Sequence, residues 1–156
     1  LRTARNRGFS TDIYMSFCNS KDPVAQVKDM LNAIPSNLFD MVWVRVEDNS
    51  SPGCSLTLNT PQKSCDYLRS IVGYIESQGK TAGVYSTILF WKKVFGSTSF
   101  CYELGSKPLW YGSSDGVQNF SGFSTFGGWT VPTLKTYNYG ATVCGTSVNQ
   151  NWSPSS

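Results

Sequence analysis

Apolar residues in this chain follow two spacings in turn. Ser10 to Phe17 alternates into Thr-Asp-Ile-Tyr-Met-Ser-Phe, the two-residue period of a strand. Asp22-Pro23 then opens a helix, with Asp as the cap and Pro in the first turn. Val24, Val27, Met30, Leu31 and Ile34 lie on one face of that helix, which ends before Pro35. Met41-Val-Trp-Val-Arg-Val-Glu47 is mostly apolar and stops in the turn-forming Asp48-Asn-Ser-Ser-Pro-Gly-Cys54. It predicts a buried strand of a parallel sheet that delivers polar groups at its C-terminal end. After a loop from Ser51 to Lys63, residues 64–78 place Leu68, Ile71, Val72 and Ile75 on one helical stripe closed by Gly79. Thr81–Tyr85 is a strand, Ser86–Phe95 a helix, and Pro108–Tyr111, Leu134–Tyr137 and Thr146–Val148 are further strands. Leu1–Arg7 forms the last turns of a basic helix stopped by Gly8, and the last five residues are expected to fray.

Alternating strands and helices with short links predict an α/β fold around a parallel sheet. The pattern holds six strands, two fewer than a closed β/α barrel needs. A length of 156 residues predicts one domain spanning 1–156. The segment 116–130, with aromatics at 120, 123, 126 and 129, is expected to be an ordered wall whose rings pack on one another.

Composition narrows the function. A net charge of +3 comes from scattered Lys and Arg, so neither a nucleic-acid stripe nor a membrane-surface helix is present. No apolar run reaches the length of a membrane span. The chain has no histidine, which excludes Ser-His-Asp and Cys-His catalysis and argues against zinc. No glycine-rich phosphate loop occurs. Any catalysis must rest on carboxylates.

Five cysteines, low charge and three N-x-S/T sequons at Asn49, Asn119 and Asn151 point to a secreted, disulfide-containing protein. Spacing suggests Cys54 with Cys65 and Cys101 with Cys144, leaving Cys18 free or bonded outside the chain. The first residue is Leu1 rather than Met, which predicts a processed or partial piece.

On the strand 41–47, Trp43, Arg45 and Glu47 share one face and Val42, Val44 and Val46 the other. A guanidinium and a carboxylate two residues apart form a buried ion pair, a wetted strand end or part of a site. The wider motif set bears on that choice. Trp43-x-x-Val-Glu47-Asp-Asn-x-Ser-Pro-Gly-Cys54, Gly79-Lys-Thr-x-Gly-Val-Tyr85, Pro108-Leu-Trp-Tyr111, Phe126-Gly-Gly-Trp129 and Cys144-Gly-x-x-Val-x-x-Asn-Trp152 occur in that order. Over essentially its whole length the chain resembles the glycoside hydrolase family 25 lysozymes of protists and nematodes.

The resemblance implies a modified TIM-type β/α barrel, extracellular placement and an ancestral reaction on the muramic acid–glucosamine linkage of peptidoglycan, and it implies no metal or cofactor. It implies that the chain starts in the helix before the third barrel strand, and that Cys18 bonds a partner in the missing part. It makes Glu47 the proton donor. Where the family's central strand reads Asp-x-Glu this chain has Arg45-x-Glu47, and the family's last-strand aspartate is Asn149. Tyr85, Trp110, Tyr111 and Tyr137 match sugar-lining aromatics, with plain core as their alternative; Asp115 is a candidate sugar contact or an exposed loop acid, and Lys135 is structural or at the surface. A glycosidase acid must hold its proton near neutral pH, and a neighbouring guanidinium favours the ionised form instead. The expectation is a weak or inactive muramidase with a glycan-binding, structural or self-associating role, the sequons at Asn49 and Asn151 crowding the barrel mouth. The alternative is an active lysozyme using Glu47.

Overall fold

The three longer helices each begin where a short polar side chain accepts a free backbone N–H of the first turn. The computed structural model describes residues 1–55, 58 and 60–154. After a short helix α1 (Arg2–Asn6), Asp22 caps α2 (Pro23–Ala33), accepting the Ala25 N–H at 2.7 Å with Pro23 in the first turn. Ile34, preceding Pro35, leaves the helix in extended geometry. Thr60 caps α3 (Pro61–Ser77), which therefore starts three residues before the predicted position 64. Thr87 caps α4 (Ile88–Phe95), and Gly96, at φ +70°, closes it in the left-handed region. No helix among the described residues is long and apolar enough to cross a membrane.

The predicted strand count of six holds among the described residues. β1 (Ile13–Ser16), β2 (Met41–Val46), β3 (Thr81–Ser86), β4 (Leu109–Gly112), β5 (Leu134–Val143) and β6 (Thr146–Trp152) lie side by side in chain order. The first five are mutually parallel. The last pair departs from the expected parallel sheet: β5 and β6 are antiparallel, a long hairpin turned at Cys144 (φ 51°) and Gly145 (φ 76°). Two intervening residues cannot form a parallel crossover, which needs a dozen or more. The hairpin also holds Trp152 in β6, against the expectation that the chain frays there.

Val42, Val44 and Val46 are fully buried and pack into the main core with Leu68, Ile71, Val72 and Ile75 of α3. The opposite face carries a separate aromatic row. Trp43 meets Trp110 edge-on at 5.8 Å, and Trp110 meets Tyr85 at 4.9 Å. Gly83 makes room for this row, since a Cβ there would lie 2.5 Å from the Trp43 ring. The segment 116–130 is the expected wall: the Phe123 and Phe126 rings meet at 5.8 Å, tilted to each other, and Trp129 is buried with its indole N–H donated to the Lys107 carbonyl.

The disulfides correct the spacing argument. Cys18 is bonded to Cys54 and Cys65 to Cys101, while Cys144 is free and exposed at the hairpin turn. Neither the Cys54–Cys65 nor the Cys101–Cys144 pair forms, and Cys18 has its partner within the chain. The reason is topological. Parallel neighbours β1 and β2 end at the same edge of the sheet, so residues just beyond them meet although 36 positions separate them.

Candidate functional site

The inner, aromatic face of the sheet ends in a cavity of ≈ 200 Å³ lined by Tyr14, Arg45, Glu47, Tyr85, Trp110, Thr136, Tyr139 and Asn149. All six strands and the residue following β2 supply these groups, on β1 to β4 through the alternation that sends the intervening residues into the core. Arg45 and Glu47 form an ion pair there, with side chains 29% and 16% exposed. The guanidinium lies 4.7 Å from the Tyr14 ring centroid and 5.6 Å from that of Tyr85, so two aromatic faces fix it. Asp48, the next acid along, is turned out of the cavity and pairs with Lys93 of α4 at 2.9 Å.

Hydroxyls and amides complete the wall. The Tyr85 and Tyr139 hydroxyls are 3.1 Å apart. Burial pushes the Tyr85 phenol well above its ordinary range, and the hydrogen bond to Tyr139 adds to this, so it remains a neutral O–H at working pH. Trp110 donates its indole N–H to Thr136 Oγ1 at 2.8 Å, and Thr136 donates to Asn151 Oδ1 at 2.7 Å. Asn149 accepts the Gly140 N–H at 3.1 Å. Gly112 sits beneath this cluster; a Cβ there would meet the Tyr139 and Tyr85 hydroxyls at 2.0 and 2.9 Å.

The candidate residues Arg45, Glu47, Tyr85, Trp110 and Asn149 thus meet in one place. Three others stand apart. Tyr111, one residue after Trp110, points to the opposite face and packs on Phe120 and Phe123. Its buried hydroxyl has no hydrogen-bond partner among the described residues, and burial raises its pKa. Asp115 is taken up by Lys135, whose ammonium is wholly buried and donates to Asp115 Oδ2 at 2.7 Å and to the Val117 and Asn119 carbonyls. Lys135 is therefore a clamp on the loop after β4, not a surface group. Tyr137 does not line the cavity; two residues on, Tyr139 does.

Tyr14, Thr136 and Tyr139 were missed. Tyr14 was legible as the partner of Arg45 only once the pairing of β1 with β2 was known, Ser16 standing opposite Arg45 and Tyr14 opposite Trp43. Tyr139 enters because β5 shifts register between Thr136 and Asn138 and again before Ala141, which sequence alternation does not foretell.

A larger cavity of ≈ 470 Å³ lies across β4, walled by Ile88, Leu89, Phe90, Phe123 and Phe126. It holds no carboxylate, so the polar chemistry resides in the smaller one. The only cluster of potential metal ligands among the described residues is Cys65, Cys101 and Glu103, whose two sulfurs are bonded to each other.

Of the three sequons, Asn119 and Asn151 are exposed, and Asn151 adjoins the cavity through Thr136. Asn49 is half-buried, its amide nitrogen donating to the Phe17 carbonyl at 2.9 Å.

Residues 1–137 match the family described as "Lys-1: Lysozyme-like protein 1". The chain is 32% identical over 157 residues to "Probable GH family 25 lysozyme 4" of Dictyostelium discoideum, a match covering 97% of this chain and 68% of that protein. It is 30% identical to "Counting factor 50" of the same organism, over 94% of this chain and 48% of that one. Among solved structures, a bacterial lysozyme from Streptomyces coelicolor superposes with a TM-score of 0.77 at 18% identity, covering 99% of this chain and 72% of that one.

Proposed function

From the chain's membership of the lysozyme-like proteins of glycoside hydrolase family 25, we propose that it is a glycan-binding domain with little or no muramidase activity. The observation that carries this reading is the Arg45–Glu47 ion pair. Glycosidic cleavage needs a protonated acid and a second group, commonly a carboxylate, that attacks or activates water. Among the residues lining the cavity Glu47 is the single carboxylate, and a guanidinium engages it. An acid held in an ion pair is a poor donor, because giving up its proton-free form means breaking that pair. What remains is a sugar-sized recess with Trp110 and Tyr85 as stacking surfaces and Asn149 and Tyr139 as hydrogen-bonding groups.

Relatives named counting factors, beside others named lysozymes, support a family that is not uniform in role. Secretion is part of the proposal, supported by two disulfides, which persist in oxidising compartments. So is self-association of this single domain (1–156) through the free edges of its sheet.

One observation favours the alternative of an active lysozyme: Glu47 is retained at the C-terminal end of β2, in the cavity, where the proton donor of such an enzyme would stand. A turbidity assay on peptidoglycan separates the two. The expected result is no clearing above the buffer rate, unchanged by Glu47→Gln. Clearing by the wild type that Glu47→Gln abolishes would establish hydrolysis and overturn the proposal.

A further inference from the structure

The charges in the cavity say more than that hydrolysis is impaired. A hydrolytic site built on paired carboxylates is acidic and repels anionic sugars. Here Arg45 and Glu47 are the two ionic groups among the lining residues and they cancel, so the recess presents no net repulsion to an anion. The guanidinium is also held ready for one. Tyr14 and Tyr85 both hold it against their rings, so little side-chain freedom is left to lose on binding. Its side chain is 29% exposed, so solvent or ligand reaches it. A guanidinium has five N–H donors in a planar fork. Glu47 engages it through one terminal nitrogen, and among the described residues no other protein acceptor is paired with it.

We propose that this cavity binds a uronic-acid unit of an acidic polysaccharide, its ring carboxylate on the Arg45 guanidinium. The inference rests on the glycan-binding reading above and adds the class of sugar. A planar carboxylate matches the fork with two parallel hydrogen bonds, an arrangement that neutral hydroxyls cannot reproduce. The pyranose ring then lies against Trp110 and Tyr85, 4.9 Å apart and edge-to-face, with the Tyr139 hydroxyl and the Asn149 amide at its rim. Glu47 plays the part of an internal competitor. It occupies the guanidinium until a ligand carboxylate joins it, and its charge opposes that ligand. Removing the charge at Glu47 therefore strengthens binding of an acidic sugar, the reverse of what a catalytic acid would show.

Titration calorimetry with tetragalacturonate and with chitotetraose, on the wild type, Arg45→Met and Glu47→Gln, tests this. Charged hydrogen bonds contribute enough that the uronate should bind at least about tenfold more tightly than the neutral sugar, and Arg45→Met should remove that preference. Glu47→Gln should tighten uronate binding and widen the preference for uronate over chitotetraose. Should Arg45→Met fail to fold, the Glu47→Gln comparison decides alone. Binding of chitotetraose with no preference for uronate would overturn the uronate assignment and leave the glycan reading standing. Binding of neither sugar would remove both. A Glu47→Gln variant that binds uronate more weakly would also overturn it.

Discussion

Lys135 shows how a single buried charge can organise a loop. Its ammonium has no exposure and spends its three N–H donors on Asp115 and on the carbonyls of Val117 and Asn119, fastening the segment that follows β4. The hydrogen bond from Lys135, then that from the Val117 N–H, holds the Asp115 carboxyl below its ordinary value of 3.8. A carboxylate whose pKa is depressed by folding stabilises the fold above its unfolded pKa and loses that contribution as pH falls through the folded value. Asp115→Asn should therefore lower Tm at neutral pH, and the gap from wild type should close below about pH 4. Thermal scans across that range check it; a gap that persists at about pH 2 would mean the pair is not what ties the loop. The sequence offers Asp115 as a sugar contact or an exposed loop acid and Lys135 as a structural or surface lysine, because their neighbourhood does not reveal that the two meet.

At the scale of elements, the strand 41–46 was legible in detail. The valine face went to the core and the Trp43–Arg45–Glu47 face to the cavity, since alternation within one strand is a local property. Helix starts at Asp22 and Thr60 follow from capping, although the second lay three residues ahead of the periodic pattern. The disulfides were not legible, because they join ends of elements that become neighbours only in the sheet. Non-reducing peptide mapping should recover Cys18–Cys54 and Cys65–Cys101 linkages and a free Cys144. Replacing both Cys65 and Cys101 with Ala reopens a 36-residue loop. The loop-closure model puts the loss at about 4 kcal/mol, readable by denaturant unfolding. A recovered Cys54–Cys65 peptide would contradict the fold's account of α3, which buries Cys65 on the side facing Cys101.

For the molecule as a whole, the sheet is open. β1 and β6 are its two ends among the described residues, and the concave face leaves Tyr14 58% exposed. Unpaired strand edges recruit other strands. The proposed self-association predicts a sedimentation mass that rises with concentration above the 17.2 kDa of the chain. Ser16→Lys, placing a charge on the exposed face of β1, should shift it back toward the monomer. A wild type that stays at the chain mass throughout would remove self-association and leave the glycan cavity untouched.

The order of strands and helices, the six-strand count, the buried valine face and the shared face of Arg45 and Glu47 were all contained in the linear pattern. Each depends on residues a few positions apart, where backbone geometry alone sets the outcome. The antiparallel closing hairpin, the disulfide partners, the Lys135 clamp and the recruitment of Tyr14, Thr136 and Tyr139 to the cavity were not. These rest on register between strands and on bulges in β5, and such alignments are settled by packing across the whole sheet rather than by any one stretch of chain.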